Sequence, residues 1–134
     1  MKRIFTITLM ALLAIAIAVP AQAKKKQTDG TPVMQFEKES HDFGVIPAKG
    51  AVKTEFEFVN TGNAPLVIFD ATADCGCTRP EFPKNPIAPG KKGKIKVTFI
   101  PVGYRGGFVK NVKVKSNSKP KTKVLKISGT VNPN

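Results

Sequence analysis

The only two cysteines of this 134-residue chain, Cys75 and Cys77, are the residues whose type and spacing can support chemistry. Two thiols separated by one residue can form a disulfide, bind a soft metal ion or act as a reactive dithiol. In an extended strand their Cα atoms would be about 6.6 Å apart, close to the upper limit of about 6.8 Å for a disulfide. Because Gly76 lets the backbone fold more tightly, a disulfide is feasible but strained, and strain makes a disulfide easier to reduce.

The residues near the cysteine pair are polar and prone to form turns. This composition predicts a loop or strand end after the apolar run 66–69, with at least one sulfur partly accessible. Four neighbouring or loop residues are candidates for a small binding site: Thr78, Arg79, Tyr104 and Arg105.

Other catalytic constellations are absent from the sequence. A structural zinc ion needs four ligands, and the single histidine, His41, is more typical of a surface or strand end than of a metal site. The glycine-rich segment 103–107 lacks the Gly-Lys-Ser/Thr pattern of a phosphate loop. We therefore expect no catalytic residues, no cofactor and no enzymatic activity, and the sequence does not assign a metal.

Period-two alternation of apolar and polar residues dominates the chain after residue 32, and no window shows a helical stripe. Proline, glycine and asparagine clusters separate the alternating segments. The pattern predicts an all-β, immunoglobulin-like sandwich of two antiparallel sheets with about seven to nine strands. The predicted core residues are Phe56, Phe58, Leu66, Ile68, Ile95, Val97, Phe99, Val112, Val114 and Ile127.

Two segments depart from simple alternation. The continuous apolar run from Leu66 to Phe69 predicts a strand that is buried on both sides. Val124 interrupts the alternation of the last strand, which predicts either a β-bulge or a strand buried on both faces there.

Charge is distributed unevenly along the chain. Residues 82–134 contain twelve lysines, one arginine and no acidic residue, and the whole chain carries a formal net charge of +13. Solvated strand lysines that protect sheet edges are the first interpretation, and polyanion binding is the alternative. The lysines expected on outward faces are Lys94, Lys96, Lys113, Lys115 and Lys126.

The first 23 residues have the pattern of a secretory signal peptide. Lys2 and Arg3 precede an apolar run over residues 4–19, and Ala21 and Ala23 form an A-x-A cleavage site. We expect cleavage after Ala23, a flexible linker over residues 24–31 and one domain over residues 32–134. The mature protein would then be periplasmic or extracellular, without a stable membrane anchor.

Several segments resemble a bacterial family catalogued as domain of unknown function 1573 (DUF1573). The resemblance covers about residues 36–131 and implies an exported immunoglobulin-like domain, of a kind common in Bacteroidota, without implying an activity. The segments that carry it are Asp42-Phe43-Gly44, Asn60-Thr61-Gly62, Pro65-Leu66, Cys75-Gly76-Cys77-Thr78, Pro89-Gly90, Ser116-Asn117 and Ile127-Ser128-Gly129.

Three classes of function remain open at this point. The first is a binding or structural module of the cell envelope, with an envelope protein or a glycan as its partner. The second is a thiol redox or soft-metal (copper) handling protein that uses Cys75 and Cys77. The third is a polyanion binder that uses the lysine-rich half, although we do not expect nucleic acid as the ligand. The sequence does not predict an oligomeric state.

Overall fold

A computed structural model describes residues 30–132 of the protein. The predicted signal peptide and most of the predicted linker lie outside the described residues. The described chain forms eight strands: β1 (Met34–Phe36), β2 (Ser40–Pro47), β3 (Val52–Asn60), β4 (Ile68–Ala73), β5 (Thr78–Glu81), β6 (Lys92–Phe99), β7 (Gly106–Ser116) and β8 (Thr122–Asn132).

The eight strands form two four-stranded sheets that pack as a sandwich, which confirms the predicted all-β class and strand count. The first sheet has the order β1-β3-β6-β5, and the second has the order β2-β8-β7-β4. One pair departs from the predicted antiparallel arrangement, because β2 and β8 are parallel. Alternation reports which face a residue occupies but carries no information about strand direction, so the sequence offered no signal for this pair.

The core between the sheets contains all ten residues predicted for it, each 6% exposed or less. Phe99 stacks on Phe108 with ring centroids 4.1 Å apart, and Phe36 meets Phe58 edge to face at 5.4 Å. The Phe99–Phe108 contact joins β6 of the first sheet to β7 of the second. Aromatic side chains therefore connect the two layers near the end of the sandwich where β7 begins.

The pairing of β3 with β6 shows how alternation sets both faces of the first sheet. Phe56 lies opposite Ile95 in the core, while Glu57 lies opposite Lys94 on the solvent side. The Lys94 ammonium lies 3.2 Å from Glu55 and 3.6 Å from Glu57. The hydrogen bond to Glu55 and the charges of both carboxylates raise the pKa of Lys94 above its usual value.

The apolar run 66–69 is not the continuous buried strand that we predicted. Leu66 forms an isolated bridge with Ile87, and β4 begins only at Ile68. The pairing of β4 with β7 shifts register between Ile68 and Asp70, which leaves Phe69 62% exposed. A bulge in an edge strand adds an unpaired residue, and here that residue is an aromatic one.

Val124 was also predicted wrongly, because neither a bulge nor burial on both faces occurs there. It pairs with Lys113 in an unbroken antiparallel register between β7 and β8, and its side chain is 46% exposed. Val124 simply occupies an outward position that a polar residue would usually fill.

Asn60 closes the turn that follows β3 with its side chain. This fully buried amide donates to the carbonyl oxygens of Ala64 and Ile87 at 2.8 and 2.9 Å. Its oxygen accepts from the backbone N–H groups of Val33 and Gly62 at 3.3 and 3.1 Å. All four hydrogen-bonding positions of the amide are thus used, and three separate chain segments are held together at one point.

The end of the predicted linker contacts this turn as well. The Thr31 N–H donates to Asn63 Oδ1 at 2.9 Å, and Pro32 is buried. The structure therefore places Thr31, which we assigned to the linker, against the domain.

Candidate functional site

Cys75 and Cys77 lie in the loop between β4 and β5 and are joined by a disulfide. Their Cα atoms are 5.3 Å apart, because the loop turns at Gly76 and does not remain extended. Both residues are half-buried. The loop thus connects the two sheets at one end of the sandwich, with the disulfide partly open to solvent.

Two hydroxyl groups lie against the disulfide. Thr78 Oγ1 is 3.8 Å from Cys75 Sγ and 3.7 Å from Cys77 Sγ. Tyr104 OH is 3.4 Å from Cys77 Sγ and 3.9 Å from Cys75 Sγ. Thr78 is 3% exposed and begins β5, whereas Tyr104 comes from the loop between β6 and β7. Two of the four predicted binding residues are therefore brought to the sulfur atoms.

The position of Tyr104 is set by contacts with two neighbouring side chains. Its ring packs edge to face on Phe99 at 5.6 Å, and Lys110 Nζ lies 4.8 Å from its ring centroid. Lys110 was not among the residues predicted for the site. The alternation along β7 could have indicated it, because Lys110, Val112 and Val114 are two residues apart. Residues at this spacing lie on the same face of a strand, here the inner side of the sheet.

The two arginines among the predicted binding residues are not brought to the sulfur atoms. Arg79 is exposed and lies opposite Thr98 on the outer face of the first sheet, because it alternates with the buried Thr78. Arg105 is exposed on the loop next to Tyr104.

Within the described part of the chain, the side chains that commonly bind metals are not clustered. Residues 30–132 contain no group of three or more His, Cys, Asp or Glu side chains that could hold one. His41 lies on the exposed β2, where its ring packs edge to face against Phe43 at 4.7 Å.

Hydrogen bonds hold this loop independently of the disulfide. Asp74 and Asn111 are joined twice, by the Asp74 N–H to the Asn111 carbonyl at 3.2 Å and by the Asn111 N–H to Asp74 Oδ2 at 3.0 Å. The Ile100 N–H donates to the Cys77 carbonyl at 2.8 Å. A disulfide that closes so short a loop restricts the unfolded chain little, by about 1.5 kcal/mol in the chain-entropy treatment. The fold therefore has little need of this disulfide.

The five predicted outward lysines are all exposed, but they lie on opposite sides of the molecule. Lys94 and Lys96 are on β6 in the first sheet, among the carboxylates of Glu55, Glu57 and Glu81. The other three belong to β7 and β8 in the second sheet: Lys113, Lys115 and Lys126. The basic half of the sequence does not produce a single basic face.

Exposed apolar side chains are concentrated on the second sheet. Of the five large hydrophobic residues that are exposed within residues 30–132, one is in the loop between β6 and β7, and four belong to strands of the second sheet: Val45, Phe69, Val109 and Val124. We call the outer surface of β2, β8, β7 and β4 the valine–lysine face.

An open depression of about 440 Å³ lies at the β2 side of the valine–lysine face. Val45 and Val109 line it, together with glycines of three adjoining strands: Gly44, Gly107 and Gly129. A Cβ at position 129 would come within 2.9 Å of the Phe108 ring. The glycine therefore lets that ring pack closely beneath the depression.

Comparison with protein families identifies the domain. Residues 34–131 match the family described as "Protein of unknown function (DUF1573)". The chain belongs to this family. The match confirms the resemblance found in the sequence, although it does not by itself single out the Cys-Gly-Cys-Thr segment. No curated protein sequence matches the chain.

Solved structures with similar folds are distant in sequence. A protein of unknown function from Porphyromonas gingivalis W83 superposes with a TM-score of 0.66 at 18% identity, over 75% of this chain and 47% of that one. PapD-like domain 7 of human CEP192 gives 0.62 at 14% identity, over 75% of this chain and 86% of that one. This chain thus spans about half of the Porphyromonas protein, and the two likenesses show a shared sandwich fold. The described residues include no helix that could cross a membrane.

Proposed function

We propose that the protein is an exported binding module of the cell envelope that holds a partner protein on the valine–lysine face. One observation carries this proposal: four of the five large hydrophobic side chains that are exposed within residues 30–132 belong to the strands of the second sheet. A sheet face that meets only water usually carries polar residues at its outward positions. Exposed apolar surface rimmed by polar residues is typical of interaction sites.

The charges on the face indicate the chemistry of the partner. Lys113, Lys115 and Lys126 make no ion pair with any residue between 30 and 132. On the opposite face, the ammonium of Lys94 is shared by two glutamates. A partner with apolar side chains and carboxylates would complement the valine–lysine face, because opposite charges across an interface favour encounter and fix its register.

Export is supported by the first 23 residues, whose basic start, apolar run and Ala-x-Ala end are typical of a signal peptide. The test is cell fractionation together with N-terminal sequencing of the purified protein. We expect a periplasmic or extracellular protein that begins at Lys24. A cytoplasmic protein that retains Met1 or begins at residue 2 would contradict export.

Site-specific photo-crosslinking in the native bacterium tests the binding face. A photoreactive residue replaces Val124 on the valine–lysine face, and the matched control carries it at Thr98 on the opposite face. We expect a discrete protein adduct from position 124, weakened by Lys113→Glu, and none from position 98. Equal adducts from both positions, a glycan adduct, or no adduct at all would overturn the proposal.

A further inference from the structure

We propose that the Cys75–Cys77 disulfide is a thiol–disulfide exchange site that accepts two electrons from a dithiol. The proposal does not rest on the valine–lysine face. The loop is already held without the disulfide, because Asn111 is hydrogen-bonded to Asp74 and the Ile100 N–H donates to the Cys77 carbonyl. A disulfide that contributes little to the fold is free to open and close.

The disulfide can be approached from solvent. Both cysteines are partly exposed, and Gly76 between them is exposed. A Cβ built at Gly76 would meet no atom within 4 Å, so the surface above the loop is open to an incoming thiol. Exchange requires such access, because the attacking thiolate must reach one sulfur directly.

Two hydroxyl groups are placed to stabilise a thiolate once the disulfide opens. Thr78 Oγ1 and Tyr104 OH lie between 3.4 and 3.9 Å from the two sulfur atoms. Hydrogen bonds to a charged group favour its charged form, and a stabilised thiolate is a better leaving group in exchange. Lys110, whose ammonium lies over the Tyr104 ring, adds a positive charge beside the site.

The geometry distinguishes the two sulfurs. Tyr104 OH is nearer to Cys77 than to Cys75, and Cys77 packs against the hydrophobic core. Cys77 is therefore the sulfur that leaves, and Cys75 is the one attacked.

The exchange proceeds in two balanced steps. A thiolate of the dithiol attacks Cys75 Sγ, the bond between Cys75 and Cys77 breaks, and its electron pair goes to Cys77 Sγ. The second thiol of the reductant loses its proton to water. The resulting thiolate attacks the other sulfur of the reductant, which is bonded to Cys75 in the mixed disulfide. That step releases Cys75 as a thiolate and closes the disulfide of the reductant. Two electrons have moved to the protein, and the reductant is oxidised.

The first experiment measures reduction of the folded, purified protein by dithiothreitol, with free thiols counted by maleimide labelling after an acid quench. We expect complete reduction without denaturant. Tyr104→Phe should slow reduction about tenfold, because it keeps the ring but removes a hydrogen bond to the thiolate. Thr78→Val should also slow reduction, because it removes the hydroxyl. Thr78→Ser retains the hydroxyl and should be reduced at the wild-type rate.

A control and a trapping experiment complete the test. Thr98→Val removes a hydroxyl from the outer face of the first sheet and should leave the rate unchanged. Reaction with the monothiol glutathione should give a mixed disulfide at Cys75, with Cys77 free, by fragmentation mass spectrometry. A disulfide that resists dithiothreitol until the protein unfolds, a wild-type rate in Tyr104→Phe, or an adduct at Cys77 would each overturn the proposal as stated.

Discussion

Asn60 illustrates, at the scale of single residues, why several segments that carry the family resemblance are structural. Its amide uses all four of its hydrogen bonds to join three chain segments, and a Cβ at Gly62 would collide with the Thr31 carbonyl oxygen. Gly44 has a φ of 69°, and its N–H donates to the Asp42 carboxylate. These segments are explained by turns and close approaches of the backbone. The Cys-Gly-Cys segment has no comparable structural explanation.

Replacing Asn60 with alanine should strongly destabilise the protein. The change removes the partner of the Ala64 carbonyl and of the Val33 and Gly62 N–H groups, while the Ile87 carbonyl keeps its bond from the Leu66 N–H. Each unsatisfied group costs about 1–3 kcal/mol where it stays away from water. We expect a loss of about 3 kcal/mol in the free energy of unfolding, measured by urea denaturation. Asn63→Ala is the matched control, because its bond to Thr31 is exposed, and it should cost under about 1 kcal/mol. Equal losses in the two variants would contradict this account of the turn.

The double variant Cys75→Ser/Cys77→Ser should fold and lose little stability. The short loop closed by the disulfide predicts a loss of about 1.5 kcal/mol, and the hydrogen bonds from Asn111 and Ile100 remain. Guanidinium denaturation of the oxidised wild type and the double variant measures the difference. A loss of several kcal/mol would show that the disulfide has a structural role.

At the scale of elements, strands with strict alternation were predictable and irregular ones were not. Apart from Asn60 at the end of β3, the inward residues of β3 and β6 are apolar or small and most outward ones are charged, so sequence alone assigned the core correctly. The predicted burial of Phe69 was wrong because a bulge, which depends on the pairing with β7, turns this residue outward. The prediction for Val124 was wrong because it assumed that a valine in a strand is buried, whereas Val124 is exposed on this face.

The β3 strand gives a direct test of the two faces. Phe56 is 2% exposed in the core and Glu57 is exposed next to it. Phe56→Ala should cost about 3–5 kcal/mol of stability through lost burial and the cavity left behind. Glu57→Ala should cost under about 0.5 kcal/mol, because a surface ion pair contributes little. Thermal and urea unfolding of both variants checks this, and a comparable loss for Glu57→Ala would mean that its pairing with Lys94 is stronger than an exposed pair should be.

At the scale of the whole molecule, folding brings together charged residues and candidate site residues that are far apart in the sequence. The acidic residues of β3 and β5 come to lie beside the lysines of β6, although they are separated from them in the sequence. The cysteine pair was recognisable from its spacing, and Thr78 and Tyr104 were among its candidates. Whether Lys110 and Arg79 lie near the disulfide depends on the strand face that each one occupies. Those relations become definite only once β4, β5 and β7 meet.

The two-sided distribution of lysines predicts weak, non-specific binding to polyanions. We expect the protein to bind a heparin column at low ionic strength and to elute at or below about 0.15 M salt, because each face can neutralise only a few sulfate groups and therefore releases few counterions. Lys113→Glu/Lys126→Glu on the valine–lysine face and Lys92→Glu/Lys96→Glu on the opposite face are matched variants. Each pair should lower the eluting salt concentration by a similar amount. If one pair abolished binding while the other left it unchanged, a single basic site would exist, and the division of charge between the faces would not govern polyanion binding.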